Sequence, residues 1–317
     1  MIITGQNTSF SSNFELILFL NLLVYIPILM SLPLIMMGIL ALIKNKDKTK
    51  IKNTSLIYMY AFSTGMFLMI GAFGFLREGY EIAKNFTHGG SAKFGSEINR
   101  TLVIVSIIGL SSLIGFTLVI GGRYLFIKKL KIDPHSKHED HNHSDHLISF
   151  KDVDNPKAAW LAILLLLSHR IIDGFFIGYS IFKIISAQNT FSSSLMLLIT
   201  FTIHILIEMA IVYFRQIQYG EKKSKAILYN FLTFLLIIPF VFLGAFTGRF
   251  LNNNLQWIQS ALLIMGGSII IFTAVFELIP EFIHIRNKDT KTLYRTLIIF
   301  GLSIVLTIML LSFHTHL

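Results

Sequence analysis

The sequence predicts an all-α integral membrane protein, and three observations support this fold class. Apolar residues make up 54% of the 317 residues, whereas charged residues make up only 14%, about half of the share that is usual in soluble domains. The mean hydropathy is +0.68. Eight segments are long and apolar enough to cross a bilayer, which takes about 20 residues. Lipid is therefore the expected solvent, because a soluble protein could not bury so much apolar surface.

The eight predicted spans account for most of the chain, and the segments between them are too short for a soluble domain. We therefore expect residues 1–317 to form one transmembrane domain. Pro27, Pro33 and Pro239 fall inside spans, where neighbouring helices can satisfy the backbone groups that a proline leaves unpaired. The spans are 17–43, 55–75, 101–127, 158–182, 193–214, 226–247, 257–279 and 293–312.

Lysine and arginine are distributed unevenly between the two sides of the predicted bundle. The loops after spans 1, 3, 5 and 7, counted with the residues at the adjoining span ends, carry 20 of the 27 residues, and the other side carries 6. Because cytosolic loops are enriched in Lys and Arg, both termini are predicted to be non-cytosolic. The net charge of +10 then reflects topology, and we expect no nucleic-acid partner. Plasma and organelle membranes are equally compatible with this pattern.

Spans 4 and 5 each place a histidine four residues before a carboxylate. His169 and Asp173 share one face of span 4, and His204 and Glu208 share one face of span 5, because four residues make about one helical turn. Charged groups inside a membrane are costly and usually functional. One such pair could be a hydrogen-bonded structural pair. Its repetition on the next span favours a metal site, since two imidazoles and two carboxylates suit Zn²⁺, Fe²⁺ or Mn²⁺. The absence of Cys excludes a thiolate site.

Four carboxylates near the membrane surfaces could line a path for cations. Glu78 and Glu81 follow span 2 on the non-cytosolic side, and Glu277 and Glu281 end span 7 on the cytosolic side. We interpret them as an entrance and an exit. Ordinary interfacial carboxylates explain the same positions equally well.

The segment 128–157 is polar and is expected to be a flexible cytosolic loop. Its five histidines predict weak metal binding, unless the loop is only a solvated linker. They are His135, His138, His141, His143 and His146.

Two glycines follow the aspartate of span 4. Gly174 and Gly178 follow Asp173, where small residues permit close helix packing, access for an ion, or both.

Segment 65–81 in span 2 and segment 266–282 in span 7 each carry early glycines, an aromatic-rich middle and an acidic end. The two spans run in opposite directions, as inverted repeats require.

At these residues the chain resembles the ZIP (ZRT/IRT-like) family of metal transporters. The resemblance rests on eight spans, the His-rich loop, the motif His-x-x-x-Asp-Gly-x-x-x-Gly from His169 to Gly178, YAFSTGMFLMIGAF of span 2 and ELIPE of span 7. It implies a 3+2+3 bundle in which spans 1–3 and 6–8 are inverted repeats. It also implies a homodimer that moves a divalent metal into the cytosol. The metal is substrate, and no prosthetic group is expected.

The resemblance assigns four residues to the principal metal site of the family: His169, Asp173, His204 and Glu208. At the adjacent second site the chain departs from the family. Arg170 stands where an Asn often lies, Ile205 replaces a polar or acidic residue, and Ile238 replaces a Glu that often precedes the proline of span 6. We therefore predict a single metal site, in which the permanent charge of Arg170 substitutes for a second ion.

Two other functions use the same ligands. A metal exporter of the cation-diffusion type also combines this spacing with a His-rich loop, but such exporters have six spans and a cytosolic C-terminal domain. A membrane-embedded zinc hydrolase would need an open coordination position and Glu208 as its general base. A sensor that binds metal without moving it is a third alternative.

Overall fold

The computed structural model describes residues 14–42, 53–89, 95–130, 170–186, 191–218, 221–279 and 289–312. Within these ranges all regular elements are helical, and seven helical stretches are long and apolar enough to cross a membrane. These findings confirm the predicted class of an all-helical, multi-pass membrane protein. Predicted span 4 is described from Arg170 onwards, and residues 131–157 of the predicted loop lie outside the described part of the chain.

The described residues form eight helices, α1 to α8, in the order of the predicted spans. Five are continuous α-helices, and three change geometry or break along their length. The continuous ones are α1 (Phe14–Leu42), α3 (Glu97–Leu130), α4 (Arg170–Ser186), α5 (Phe191–Gln218) and α8 (Thr290–Ser312). Helix α2 comprises Asn53–Met69, a π-helical segment Ile70–Leu76, and Arg77–Gly89. Helix α6 comprises Lys223–Leu235 and Ile237–Asn254, and α7 comprises Gln256–Thr273 followed by a π-helical segment, Ala274–Leu278.

Helix α2 extends well beyond its predicted end at residue 75. The apolar run stops there, but the helix continues as the polar segment Arg77–Gly89. Arg77 Nε donates to Glu81 Oε1 at 3.2 Å across one turn of this segment. Such pairs support a helix at its surface, and a hydropathy profile does not register them.

Helix α6 breaks at Leu236, three residues before Pro239. A proline has no N–H, and its ring clashes with the carbonyl group four positions earlier. That position is Leu235, where the first part of α6 ends. Helix α1, in contrast, runs without a break through Pro27 and Pro33.

Burial separates interior helices from helices that face lipid. In the most apolar stretches of α5 and α7, 61% of the residues are buried, compared with 17% in α3 and 22% in α8. The outer helices expose leucine and isoleucine side chains, which is favourable in a hydrocarbon solvent. Functional polar groups are therefore expected on α5 and on the helices that pack against it.

The helices pack as two sets that meet at α2 and α5. In one set α4 lies against α5 and α6, and α1 contacts all three; in the other set α7 lies against α2 and α3, and α8 lies against α2. The α4 and α6 backbones touch closely, because a Cβ atom at Gly178 would overlap the carbonyl group of Val241. This contact confirms the packing interpretation of that glycine. Helices α2 and α7 both contain a π-helical segment and approach each other at Gly71 and Gly267. Their relation as inverted repeats stays a prediction.

Candidate metal centre

Three of the four predicted ligands lie together inside the bundle. Asp173 is on the first described turn of α4, and His204 and Glu208 are one turn apart on α5. Each offers one ligand atom, and these atoms all lie within 4.8 Å of one another. All three side chains are at most 1% exposed. The fourth predicted ligand, His169, lies outside the described residues.

The distances within this cluster approach those around one small ion. His204 Nε2 is 3.7 Å from Glu208 Oε2 and 4.0 Å from Asp173 Oδ2. Two atoms that each lie about 2.1 Å from a tetrahedral zinc ion are about 3.4 Å apart. The imidazole therefore needs only small adjustments to share one ion with either carboxylate.

The backbone next to Asp173 is fixed by contact with α6. A Cβ atom at Gly174 would lie 2.7 Å from the carbonyl oxygen of Ile237, so any side chain at this position would push α4 away from α6. Small residues at such contacts let helix backbones approach in a membrane. The close α4–α6 contact thus places the carboxylate that precedes Gly174 against α5.

Arg170 is buried beside the cluster and joins three helices. Its Nε donates to Glu208 Oε1 at 3.0 Å, and its Nη1 donates to Thr233 Oγ1 of α6 at 3.0 Å. The Arg170 side chain is 1% exposed. A desolvated guanidinium is tolerated because it is paired and hydrogen-bonded. Thr233 was not predicted as a site residue, although it is one of the few polar residues of span 6.

The two isoleucines predicted to replace second-site ligands line an apolar crevice. Ile205 and Ile238 border a cavity of about 30 Å³ between α1, α4, α5 and α6. Among the described residues, the polar group on its lining is the Thr202 hydroxyl, which donates to the carbonyl group of Leu198 at 2.9 Å. The described residues that line the crevice therefore offer no carboxylate or imidazole to a second cation.

Four phenylalanine rings that were not predicted as site residues lie beside the cluster or further along α2. The Phe67 ring of α2 contacts the His204 ring edge-on, with 3.9 Å between centroids. Further along α2, the Phe75 ring lies 4.1 Å from Phe176 and 5.5 Å from Phe201, centroid to centroid. Phe176 follows Asp173 by three positions, and Phe201 precedes His204 by three. This spacing places each ring one turn from a ligand on the same helix face, and it is the signal that could have identified them.

The two predicted entrance carboxylates lie in different environments. Lys183 Nζ of α4 donates to Glu78 Oε1 at 2.6 Å, and the two side chains are 23% and 11% exposed. Glu81, in contrast, is exposed and pairs with Arg77. Lys183 was not predicted as a functional residue, because a single lysine at the end of a span is normally a topology signal.

The structure describes little of the predicted exit. Glu277 lies in the π-helical segment of α7. Glu281 and the five loop histidines lie outside the described residues, namely His135, His138, His141, His143 and His146.

Chemically, the described cluster is one imidazole and two carboxylates in the buried interior of the bundle, with a permanent cation on one carboxylate. This set suits a first-row divalent ion better than Ca²⁺ or Mg²⁺, which prefer all-oxygen ligands and retained water. A comparison with family models matches residues 127–313, more than half of the chain, to the family described as ZIP zinc transporter. The matched region contains all three residues of the described cluster, Asp173, His204 and Glu208. A comparison with curated proteins returns no match.

Proposed function

This chain belongs to the ZIP zinc transporter family, and on that basis we propose that it moves a divalent metal ion into the cytosol through a single intramembrane site on α4 and α5. The observation that carries the proposal is the buried cluster of a histidine and two carboxylates. We assign four ligands to the ion: His169, Asp173, His204 and Glu208. Zn²⁺, Fe²⁺ and Mn²⁺ all suit this ligand set.

Membership of a transporter family removes the support for the other functions. The hydrolase and the sensor would use the same ligands without moving the ion, and exporters of the cation-diffusion type belong to another family. The proposed homodimer and the proposed non-cytosolic termini rest on the resemblance and on the lysine and arginine count.

A single ion is favoured by what surrounds the cluster. Arg170 already occupies Glu208 Oε1, so Oε2, which faces His204, is the oxygen that serves the ion. The positions of the missing second-site ligands, Ile205 and Ile238, border an apolar crevice. The guanidinium supplies the positive charge that a second ion would bring to the carboxylate.

The proposed cycle alternates access between the two sides of the membrane. The ion arrives from the side of Glu78 and Glu81, exchanges water for the four ligands, and leaves toward Glu277, Glu281 and the His-rich loop. Binding must be moderate, because an ion that is held too tightly cannot leave. The positive charge of Arg170 weakens the binding of the ion and so helps to keep its affinity moderate. Acid should weaken it further, since protons compete with the metal for histidine and carboxylate ligands.

Metal uptake by proteoliposomes tests the proposal. Liposomes that contain the full chain are given Zn²⁺, Fe²⁺ or Mn²⁺ outside, and accumulation inside is measured beside the Asp173→Ala variant. We expect inward flux that is lost in this variant. Glu97→Gln is the matched control, because it removes an exposed carboxylate at the start of α3 that has no place in the proposed path, and it should change the flux little.

Two results would contradict different parts of the proposal. Normal flux through Asp173→Ala would show that the assigned site is wrong. Metal binding to the folded chain without flux of any of the three ions would contradict transport and favour a sensor.

A further inference from the structure

Three layers of side chains lie between α2 and the helices that carry the proposed metal site. Phe67 contacts His204 in the first layer, and Phe75 contacts Phe176 in the second. Glu78 pairs with Lys183 in the third. The three α2 residues are separated by eight and three positions, so successive layers lead away from the site toward the C-terminal ends of α2 and α4.

On α4, one stripe of side chains runs from the site toward the C-terminal end of the helix. Asp173, Phe176, Ser180 and Lys183 follow each other at intervals of three, four and three residues, which keeps them on one face of the helix. The stripe spans about 15 Å at 1.5 Å per residue. Ser180 is 1% exposed, and its hydroxyl has no hydrogen-bond partner among the residues that the structure describes. A buried polar group without a partner requires an explanation, and water admitted along this stripe would satisfy it.

The third layer joins the two sets of helices at their ends. The ammonium group of Lys183 bonds Glu78 of α2 and lies 5.4 Å from the centroid of the Tyr179 ring. The Tyr179 hydroxyl accepts a hydrogen bond from the Gln259 side chain of α7. Helix α4 is thus held to both α2 and α7, which belong to the other packing set. The pair is partly buried, so removing one partner leaves a charge that is only partly solvated, and the pair resists separation.

We propose that Lys183 and Glu78 form an outer gate, which keeps the approach to the metal site closed in the conformation seen here. Lys183 is a positioning residue: it contacts no ligand of the ion, and it acts by holding the end of α4 against α2. This inference rests on the proposed transport function, because a closed approach matters only if an ion must travel along it. Opening the gate separates the ion pair first and then exposes the stripe from Ser180 to Asp173.

The lack of cysteine makes a direct test simple. The chain contains no Cys, so a thiol introduced as Ser180→Cys is the single reactive thiol of the protein. The full chain is placed in lipid nanodiscs without metal, and the rate of reaction with a charged methanethiosulfonate reagent is measured. No transport takes part in this readout, so it can succeed or fail independently of the flux measurement.

With the native pair we expect Ser180→Cys to react slowly. Adding Lys183→Gln or Glu78→Gln should raise the rate by about tenfold or more, because the partly buried charge that remains no longer holds α4 against α2. The reversed pair, Glu78→Lys with Lys183→Glu, should bring the rate back near its original value. Arg77→Gln is the matched control, since the Arg77–Glu81 pair is on the same helix segment but is solvent-exposed, and it should leave the rate unchanged.

A second reporter distinguishes a gate from general loosening. Gln216→Cys places the thiol at a fully buried position near the C-terminal end of α5. Lys183→Gln should not raise the labelling rate of this thiol. Equal acceleration at both positions, fast labelling with the native pair, or no acceleration by either single variant would overturn the proposal. If the single variants do not fold, the reversed pair decides alone: slow labelling supports the gate, and fast labelling overturns it.

Discussion

Arg170 Nε lies 3.0 Å from Glu208 Oε1, and both side chains are 1% exposed, so this membrane protein contains a fully desolvated ion pair. The other oxygen of the same carboxylate lies 3.7 Å from His204 Nε2. Glu208 therefore belongs both to a permanent ion pair and to the proposed ligand set. A substitution of Arg170 should therefore affect both metal binding and folding, because both depend on the Glu208 side chain.

Removing the charge of Arg170 should tighten metal binding and slow release. In Arg170→Gln the ion no longer shares Glu208 with a cation, and we expect the Kd for Zn²⁺ to fall by about tenfold or more. Turnover should fall, because a tightly held ion leaves slowly. Calorimetric titration gives the affinity, and proteoliposome flux gives the turnover. Arg249→Gln, which removes an arginine paired with Glu15 at the helix ends, should change neither; weaker binding by Arg170→Gln would contradict the prediction.

Breaking the buried pair from the other side should destabilise the fold. Glu208→Leu leaves the guanidinium buried without its carboxylate, and we expect a loss of about 3–5 kcal/mol. The double variant Arg170→Met with Glu208→Leu should recover most of this loss, because it removes both charges. Thermal unfolding of the detergent-solubilised chain measures the difference. Additive losses in the double variant would show that the two side chains do not depend on each other.

The contact between α4 and α6 should not tolerate a methyl group. Gly178→Ala would drive the new Cβ into the carbonyl group of Val241, and overpacking of this kind typically costs about 1–3 kcal/mol. Gly38→Ala in α1 meets no atom within 4 Å and should be neutral or slightly stabilising. Comparing the unfolding temperatures of the two variants tests the packing directly. Equal temperatures would mean that α4 and α6 are not in close contact.

Restoring the missing ligands should create a second metal site. We expect the native cluster to bind one Zn²⁺ per chain, and the triple variant Arg170→Asn, Ile205→Asp, Ile238→Glu to bind two. Elemental analysis of the purified protein measures the ratio, and the five loop histidines are replaced by serine in both proteins so that loop metal is not counted. Two ions in the chain that keeps Arg170 and both isoleucines would show that the single-site prediction is wrong.

The start of α8 should weaken in acid. The Thr292 backbone N–H donates to Asp289 Oδ2 at 3.3 Å, and hydrogen bonding from Thr292 lowers the pKa of the exposed Asp289 carboxyl. The folded pKa lies below the unfolded value, so this stabilisation is present above about pH 4 and is lost as the pH falls through the folded pKa. Protection of the Thr292 and Leu293 amides against hydrogen exchange should fall accordingly. Asp289→Asn caps the helix without titrating, so its protection should show no such step.

Hydropathy and residue spacing predict much of the fold and of the candidate site. The reason is that burial of an apolar segment in lipid and the periodicity of a helix both depend on residues that are close in sequence. Eight spans are predicted from apolar runs, and seven long apolar helices lie among the described residues. Four-residue spacing predicts Asp173, His204 and Glu208 as site residues, and the structure brings these three side chains together. The polar end of α2 was missed because it buries only one face, which includes Ala83 and Thr87, against α3 and α7, and a mean hydropathy does not register a helix with one buried face. Lys183 and Thr233 were missed for another reason: each acts through a partner on a different helix, and a single sequence does not show which helices meet.

The arginine in the interior also has an electrical consequence. With both carboxylates ionised and His204 neutral, Asp173, Glu208 and Arg170 together carry one negative charge, and a bound divalent ion changes this sum to one positive charge. Neither the empty nor the loaded state is neutral. Moving one elementary charge across the membrane potential is worth about 2.3 kcal/mol per 100 mV. Metal uptake by this chain should therefore carry current and depend on voltage, and replacing Arg170 with an uncharged residue would make the loaded state neutral.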